Sequence, residues 1–224
     1  MLRFLVVRIL QAIPVLFVMR PKGRITALLG ANGAGKSTLC ATAAGLVAVR
    51  SGEVRHDGID VSRLSADRRA KGGVLLAPES RGIFPGLSVE DNLDLWLRTS
   101  EEKAAVFDRY PVLADRRRLP AGNLSGGEQQ MLTLAPLLVR PPSVLIADEP
   151  TLGLAPLVVE ELLRLFAELR DRGTSLLIVE EKAKNVLQVA DHVAVIALGE
   201  IVWSGLRAEI DEEEMAARYL GVGH

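Results

Sequence analysis

Arg24-Ile25-Thr26-Ala27-Leu28-Leu29 runs directly into Gly30-Ala31-Asn32-Gly33-Ala34-Gly35-Lys36-Ser37-Thr38. The first six residues are an apolar strand that ends at Gly30, and the spacing after the loop predicts a helix over 36–46. Strand, glycine-rich loop, Lys-Ser and helix together satisfy G-x-x-x-x-G-K-[ST] in the context that pattern needs. Its glycines let backbone N–H groups curl round a phosphate without a Cβ in the way, and the helix N-terminus adds positive dipole. Lys36 is then placed to reach β- and γ-phosphate oxygens, and the Ser37 hydroxyl to ligate Mg²⁺. A glycine-rich turn that binds nothing has no need of the Lys and Ser.

Outward from this loop, short continuous apolar runs mark buried strands at Gly73–Leu76, Val144–Ala147 and Leu176–Val179. Glu53–Val61, with Asp57-Gly58 at its middle, reads as a short hairpin. Pro156–Arg172 has apolar residues three and four apart, with Gly173 as its C-terminal stop. Val193–Leu198 and Ile201–Trp203 read as a final antiparallel pair. Strands alternating with helices imply an α/β fold with a mostly parallel, doubly wound sheet and a small antiparallel part. Between Ile83 and Val139 the strand signal fades, which predicts a helical subdomain over about 83–139.

Composition narrows the function. The 224 residues are 49% hydrophobic and 25% charged, and 27 basic against 28 acidic residues leave a net charge of −1. That balance excludes a disordered chain and argues against a nucleic-acid partner. Aromatics at 4% offer no stacking platform for single strands. One cysteine rules out an internal disulfide, and three scattered histidines give no zinc spacing.

Two further stretches carry chemistry. Val144-Leu145-Ile146-Ala147-Asp148-Glu149 is a strand ending in two carboxylates. Neighbours on a strand point to opposite sides, so the acids divide their roles. Asp148 suits Mg²⁺ or a metal-bound water, and Glu149 suits a general base for the attacking water. A solvated strand end is the bland alternative. Leu124-Ser125-Gly126-Gly127-Glu128-Gln129-Gln130 places an N-cap serine before two glycines that leave the first helical N–H groups bare, an anion-binding end. A plain N-cap accounts for Ser125 but not for the paired glycines.

Together the loop at 30–38, the Leu124–Gln130 segment, the Asp148-Glu149 strand end and the following Thr151-Leu152-Gly153-Leu154-Ala155 resemble the ATP-binding subunit of ABC transporters, over residues 21–224. Ile83-Phe84-Pro85, Leu124–Leu132 and Tyr219-Leu220-Gly221 make the branched-chain amino-acid importers the most similar group. The resemblance implies a RecA-like P-loop NTPase fold and ATP and Mg²⁺ as ligands. It further implies contacts to ATP from Gly30, Ala31, Asn32, Gly33, Ala34, Gly35, Lys36, Ser37 and Thr38. Two such subunits would stack head to tail, with Ser125, Gly126 and Gly127 of one touching the γ-phosphate held by the other. The partners implied are transmembrane permease subunits, a second ATP-binding subunit and, indirectly, a substrate-binding protein outside the cell. The place implied is the cytoplasmic face of the membrane.

The sequence departs from that family in four places. Glu79, after Ala77-Pro78, stands where a Mg²⁺-ligating Gln is usual, and an acid can serve the same ion. Glu181 stands where a His usually holds the γ-phosphate, which makes it a catalytic candidate beside Lys36 and Glu149. Pro136 lies in the helix after Ser125, where a kink or an early end is expected. The head, residues 1–20, resembles the start of a dipeptide-type permease instead of the usual strand and adenine-stacking aromatic. It reads as a short helix from Leu2 to Ala12 and a strand from Pro14 to Met19, and Phe17 is the nearest aromatic. It is too short and too interrupted, by Arg8 and Pro14, for a membrane span. Two other functions remain open at this point: a non-transport ABC ATPase, or a truncated cassette with weak nucleotide binding and little hydrolysis.

Overall fold

The computed structural model describes residues 23–210. The expectations for the head, for Phe17 and for Tyr219-Leu220-Gly221 lie outside the described residues.

Strand β1 (Ile25–Leu29) occupies a central place in a six-stranded sheet. The other strands of that sheet are β4 (Val74–Ala77), β5 (Val144–Asp148), β6 (Ser175–Glu180), β7 (His192–Ala197) and β8 (Glu200–Leu206). Their order is β4-β5-β6-β1-β7-β8. All pairs are parallel except β7 with β8. The interior strands are buried along their length because helices cover both faces, whereas β8 alternates as an edge strand does. The two-residue strands β2 (Arg55–His56) and β3 (Ile59–Asp60) form a separate hairpin, closed by Asp57 and Gly58 at positive φ. The hairpin read over Glu53–Val61 is thus real but shorter. The final pair is longer than its apolar run, because its polar edge residues carry no hydropathy signal.

Side chains alternate across each strand, and the two faces build two cores. Ile25, Ala27 and Leu29 of β1 pack with Phe166, Leu162 and Leu169 of helix α7 (Pro156–Asp171). Leu28 points the other way, into a cluster with Leu39, Cys40 and Ala43 of helix α1 (Lys36–Ala44). Helix α1 stops at Gly45, in the left-handed region. There Arg69 of helix α2 (Ala66–Lys71), 2% exposed, donates to the carbonyls of Thr42, Ala43, Ser62 and Leu64.

The stretch 83–139 is helical, as expected. It holds α3 (Val89–Asp94), α4 (Ser100–Arg109), α5 (Pro111–Asp115) and α6 (Gly126–Val139), with a 3₁₀ turn at Ala121–Asn123. Capping boxes start three of them: Ser88 with Asp91, Thr99 with Glu102, and Ser125 with Glu128. Val89, Leu93, Val106, Leu113, Leu124 and Leu132 form a third core of its own. The expected early end at Pro136 does not occur, and α6 runs on to Val139. A proline removes one helical N–H, and here the next turn is kept, with the Arg140 N–H donating to the Pro136 carbonyl at 2.9 Å. Among the described residues no helix is long and apolar enough to cross a membrane.

Candidate functional site

The loop 30–35 lies between the C-terminal end of β1 and the first turn of α1. It rests on the turn between β7 and β8, where the Gly199 N–H donates to the Ala34 carbonyl at 2.8 Å. A Cβ at Gly30 would stand 2.5 Å from the Ile196 carbonyl oxygen, so only glycine lets the loop pass this close. Gly33, at φ +79 with nothing within 4 Å of a Cβ position, is glycine for its backbone alone. Lys36 is buried at the start of α1, with Nζ 2.9 Å from the Gly30 carbonyl and 3.3 Å from that of Ala31.

The two carboxylates expected to point apart instead converge. Asp148 ends β5 and its carboxylate accepts a hydrogen bond from Ser37. Glu149 lies just past the strand at φ +49, a left-handed turn that breaks the alternation. Its Oε1 stands 3.1 Å from Lys36 Nζ. Both acids therefore reach the Lys36-Ser37 step, one facing the hydroxyl and the other the ammonium.

Burial raises the Asp148 pKa, and Glu149 and Glu79 push it the same way, while the Ser37 bond opposes them. Asp148 Oδ1 is buried with no hydrogen-bond partner. An orphaned carboxylate oxygen beside a hydroxyl and a second acid, Glu79, is a hard-oxygen donor set that fits Mg²⁺. Among the described residues no group of three or more His, Cys, Asp or Glu side chains forms a metal cage. A Mg²⁺ bound through one hydroxyl, one or two carboxylates, phosphate oxygens and waters does not need one.

Glu181 is exposed at the same place. Its Oε2 accepts from Asn32 Nδ2 at 3.0 Å, and its N–H donates to Glu149 Oε2 at 3.3 Å. Asn32, Lys36, Ser37, Glu79, Asp148, Glu149 and Glu181 thus form one neighbourhood. Beside Glu149 a cleft of about 570 Å³ opens, lined by Thr151, Leu152, Glu160, Glu180 and Lys184 among others.

Ser125, Gly126 and Gly127 are not part of this neighbourhood. They start α6, and Ser125 caps it through Glu128. The paired glycines have a packing reason that the sequence reading missed. A Cβ at Gly127 would stand 2.9 Å from Val158 Cγ2, and one at Gly126 would stand 2.9 Å from Arg81 Nη2. Arg81, itself at φ +65, also donates from Nη1 to Gln129 Oε1 at 2.8 Å, and its carbonyl accepts from Thr133 Oγ1 at 2.6 Å. The sequence reading gave no role to Arg81 or to Glu180, which ends β6. A lone Arg in a loop and a last acid on an apolar strand carry no pattern that would have singled them out.

A parallel sheet with a glycine-rich loop at the end of its central strand, followed by Lys-Ser at a helix start and faced by two acids from a neighbouring strand end, defines a P-loop NTPase fold. A match to the ABC transporter family covers residues 18–152. The chain belongs to that family, and within it to the ATP-hydrolysing cassettes. It is 36% identical to the high-affinity branched-chain amino acid transport ATP-binding protein BraG of Pseudomonas aeruginosa, over 86% of this chain and 85% of that one. It is also 36% identical, over the same shares, to the probable branched-chain amino acid transport ATP-binding protein LivF of Archaeoglobus fulgidus. Among solved structures, an ATP-binding subunit of an ABC transporter superposes with a TM-score of 0.73 at 23% identity, over 90% of this chain and 83% of that one, which speaks for the fold.

Proposed function

We propose that this chain is the ATP-hydrolysing subunit of an importer for branched-chain or related amino acids. The observation that carries the chemistry is the convergence of Asp148 and Glu149 on Lys36 and Ser37. The cargo class is supported by the two relatives named for branched-chain amino acids.

In this reading Gly30–Thr38 wraps the ATP phosphates with backbone N–H groups, and Lys36 exchanges the loop carbonyls for β- and γ-phosphate oxygens. Ser37 and Asp148, with Glu79 beside them, would hold Mg²⁺, which would screen phosphate charge. The Glu149 carboxylate takes a proton from the attacking water as its oxygen bonds to the γ-phosphorus. The bond to the bridging oxygen breaks, and ADP and phosphate are the products. Glu181 and Asn32 sit where they fix a water or a phosphate edge, since a bare carboxylate repels phosphate.

Ser125, Gly126 and Gly127 lie away from the loop of their own chain, which supports a pair of cassettes with each completing the other's site. Phe84, Leu87, Leu95 and Trp96 are 56%, 39%, 56% and 46% exposed. Phe84 and Trp96 border a small cavity of about 50 Å³ against α6. So much apolar surface in one place suits docking by permease subunits at the cytoplasmic face of the membrane.

The test is copurification with two membrane permeases from the native cell, with phosphate release measured on the complex. Recovery with permeases and stimulation by a branched-chain amino acid and its binding protein is the expected result. Recovery without any membrane partner would remove the importer reading.

A further inference from the structure

Arg81 is half-buried and lies at φ +65, in the loop that follows β4. A left-handed arginine costs backbone energy and persists where its surroundings hold it on several sides, a condition that gathers at functional places. Here the surroundings are one face of α6. The Thr133 hydroxyl donates to the Arg81 carbonyl at 2.6 Å. The guanidinium donates from Nη1 to Gln129 Oε1 at 2.8 Å, and its Nη2 lies 2.9 Å from where a Cβ at Gly126 would stand. Positions 126, 129 and 133 are three and four apart, so one stripe of the helix takes all three contacts.

Gln129 carries the contact further. Its Nε2 donates to the carbonyls of Leu124 at 3.2 Å and Ala121 at 3.4 Å, back across the turn that enters α6. Ser125 follows Leu124 and caps the helix through Glu128. An amide accepts from a guanidinium and donates to a carbonyl at once, whereas a carboxylate in its place does only the first. A chain of hydrogen bonds thus runs from the loop after β4 to the residue before Ser125.

We propose that Arg81 and Gln129 are positioning residues for the nucleotide held by a second copy of this chain: together they fix the entry to α6, so that Ser125, Gly126 and Gly127 are presented to that copy's phosphates. This rests on two cassettes pairing. The physical reason is the bareness of the helix start. Gly126 and Gly127 have no side chains to fix where α6 begins, so its first turn is held from outside. Arg81 holds it at Gly126, and Gln129 holds it at Leu124. Among the described residues neither side chain bonds to Lys36, Asp148 or Glu149, so their loss leaves the chain's own phosphate loop as it is.

The experiment is Mg-ATP-dependent dimerisation of the full chain carrying Glu149→Gln, followed on a sizing column across protein concentrations. ADP affinity and thermal melting are measured in parallel. Arg81→Met keeps most of the stem but removes the guanidinium. Gln129→Glu keeps the acceptor for Arg81 but loses the donor to Leu124. Each is expected to raise the concentration at half-dimer at least about 10-fold, because a bond in the chain is lost at both sites of the pair. ADP affinity is expected to stay within about twofold, since ADP needs only the loop of one chain. Each change breaks the same chain of bonds, so the double variant should be no worse than the weaker single one, within about threefold. A dimer undiminished in either single variant overturns the proposal. So does an ADP affinity that falls as far as dimerisation does, or effects that multiply in the double variant. If Arg81→Met fails to fold on melting, Gln129→Glu decides alone. Glu149→Gln without further change separates the two ideas. No dimer there removes the pairing and the proposal with it, whereas a dimer there that survives Arg81→Met intact removes only the positioning.

Discussion

Lys36 and Glu149 form an ion pair, Nζ to Oε1 at 3.1 Å, with side chains only 5% and 10% exposed. They are far apart in sequence and belong to different elements, yet each is the other's counter-charge. Lys36 adds bonds to the carbonyls of Gly30 and Ala31, so one ammonium holds the loop closed and faces the base.

Lys36→Ala removes the cation placed for the phosphates and leaves Glu149 without its partner. Charged groups left unpaired in buried sites cost about 3–5 kcal/mol. Phosphate release is expected to fall at least about 100-fold, and thermal melting to shift as well. Hydrolysis within a few-fold of wild type would show that the loop does not bind the reacting phosphates.

Glu149→Gln keeps the shape of the base but cannot take a proton. General-base catalysis is worth about 10²–10⁴-fold, so turnover should drop by that order while ATP binding persists. In excess Mg-ATP a trapped dimer is expected on a sizing column. A monomer that still hydrolyses would count against both the base and the paired cassettes.

Gly127→Ala tests whether the paired glycines serve packing. The new methyl meets Val158 Cγ2 at 2.9 Å, and overpacking of this kind costs about 1–3 kcal/mol. Melting should show that loss, and Val158→Ala added to it should recover most of it. If the double variant regains stability but not hydrolysis, Gly127 also has a contact outside its own chain.

Arg69→Ala withdraws a buried guanidinium from four carbonyls at the end of α1 and in the segment after the hairpin. Leaving acceptors unsatisfied costs about 1–3 kcal/mol each where water cannot enter. A destabilisation of about 3 kcal/mol in denaturant unfolding is expected. An unchanged midpoint would mean that water replaces the guanidinium.

Glu180 sets a pH dependence of stability. Its carboxyl rises from the ordinary 4.5 to about 7 in the fold, so the folded state holds the proton more tightly than the unfolded chain. Stability is therefore highest below about 4.5 on this account, falls as pH rises from there to about 7, and stays reduced above. Glu180→Gln lacks that titration. Its melting temperature, relative to wild type, should rise between pH 5 and pH 8. A constant difference across that range would show that Glu180 does not carry the proton.

Much of this molecule was legible from residues alone. The loop at Gly30–Ser37, strands β1, β5 and β6, and helix α7 follow from glycine placement, apolar runs and a period of three and four, which are local properties of the chain. The capping serine of α6 is local too. What only the tertiary structure decided is where these pieces meet. Asp148 and Glu149 were expected on opposite sides of a strand, but the left-handed turn at Glu149 sends both toward α1. Arg81 and Val158, distant in sequence, occupy the space that a Cβ at Gly126 or Gly127 would fill. Glu180 follows an apolar run in the sequence, and the Thr151 N–H that donates to it arrives from the loop after the neighbouring strand. A sequence encodes turn chemistry and hydrophobic period because these act within a few residues. Burial and close packing depend on which distant residues are brought within a few ångströms, and only the assembled sheet and helices determine that.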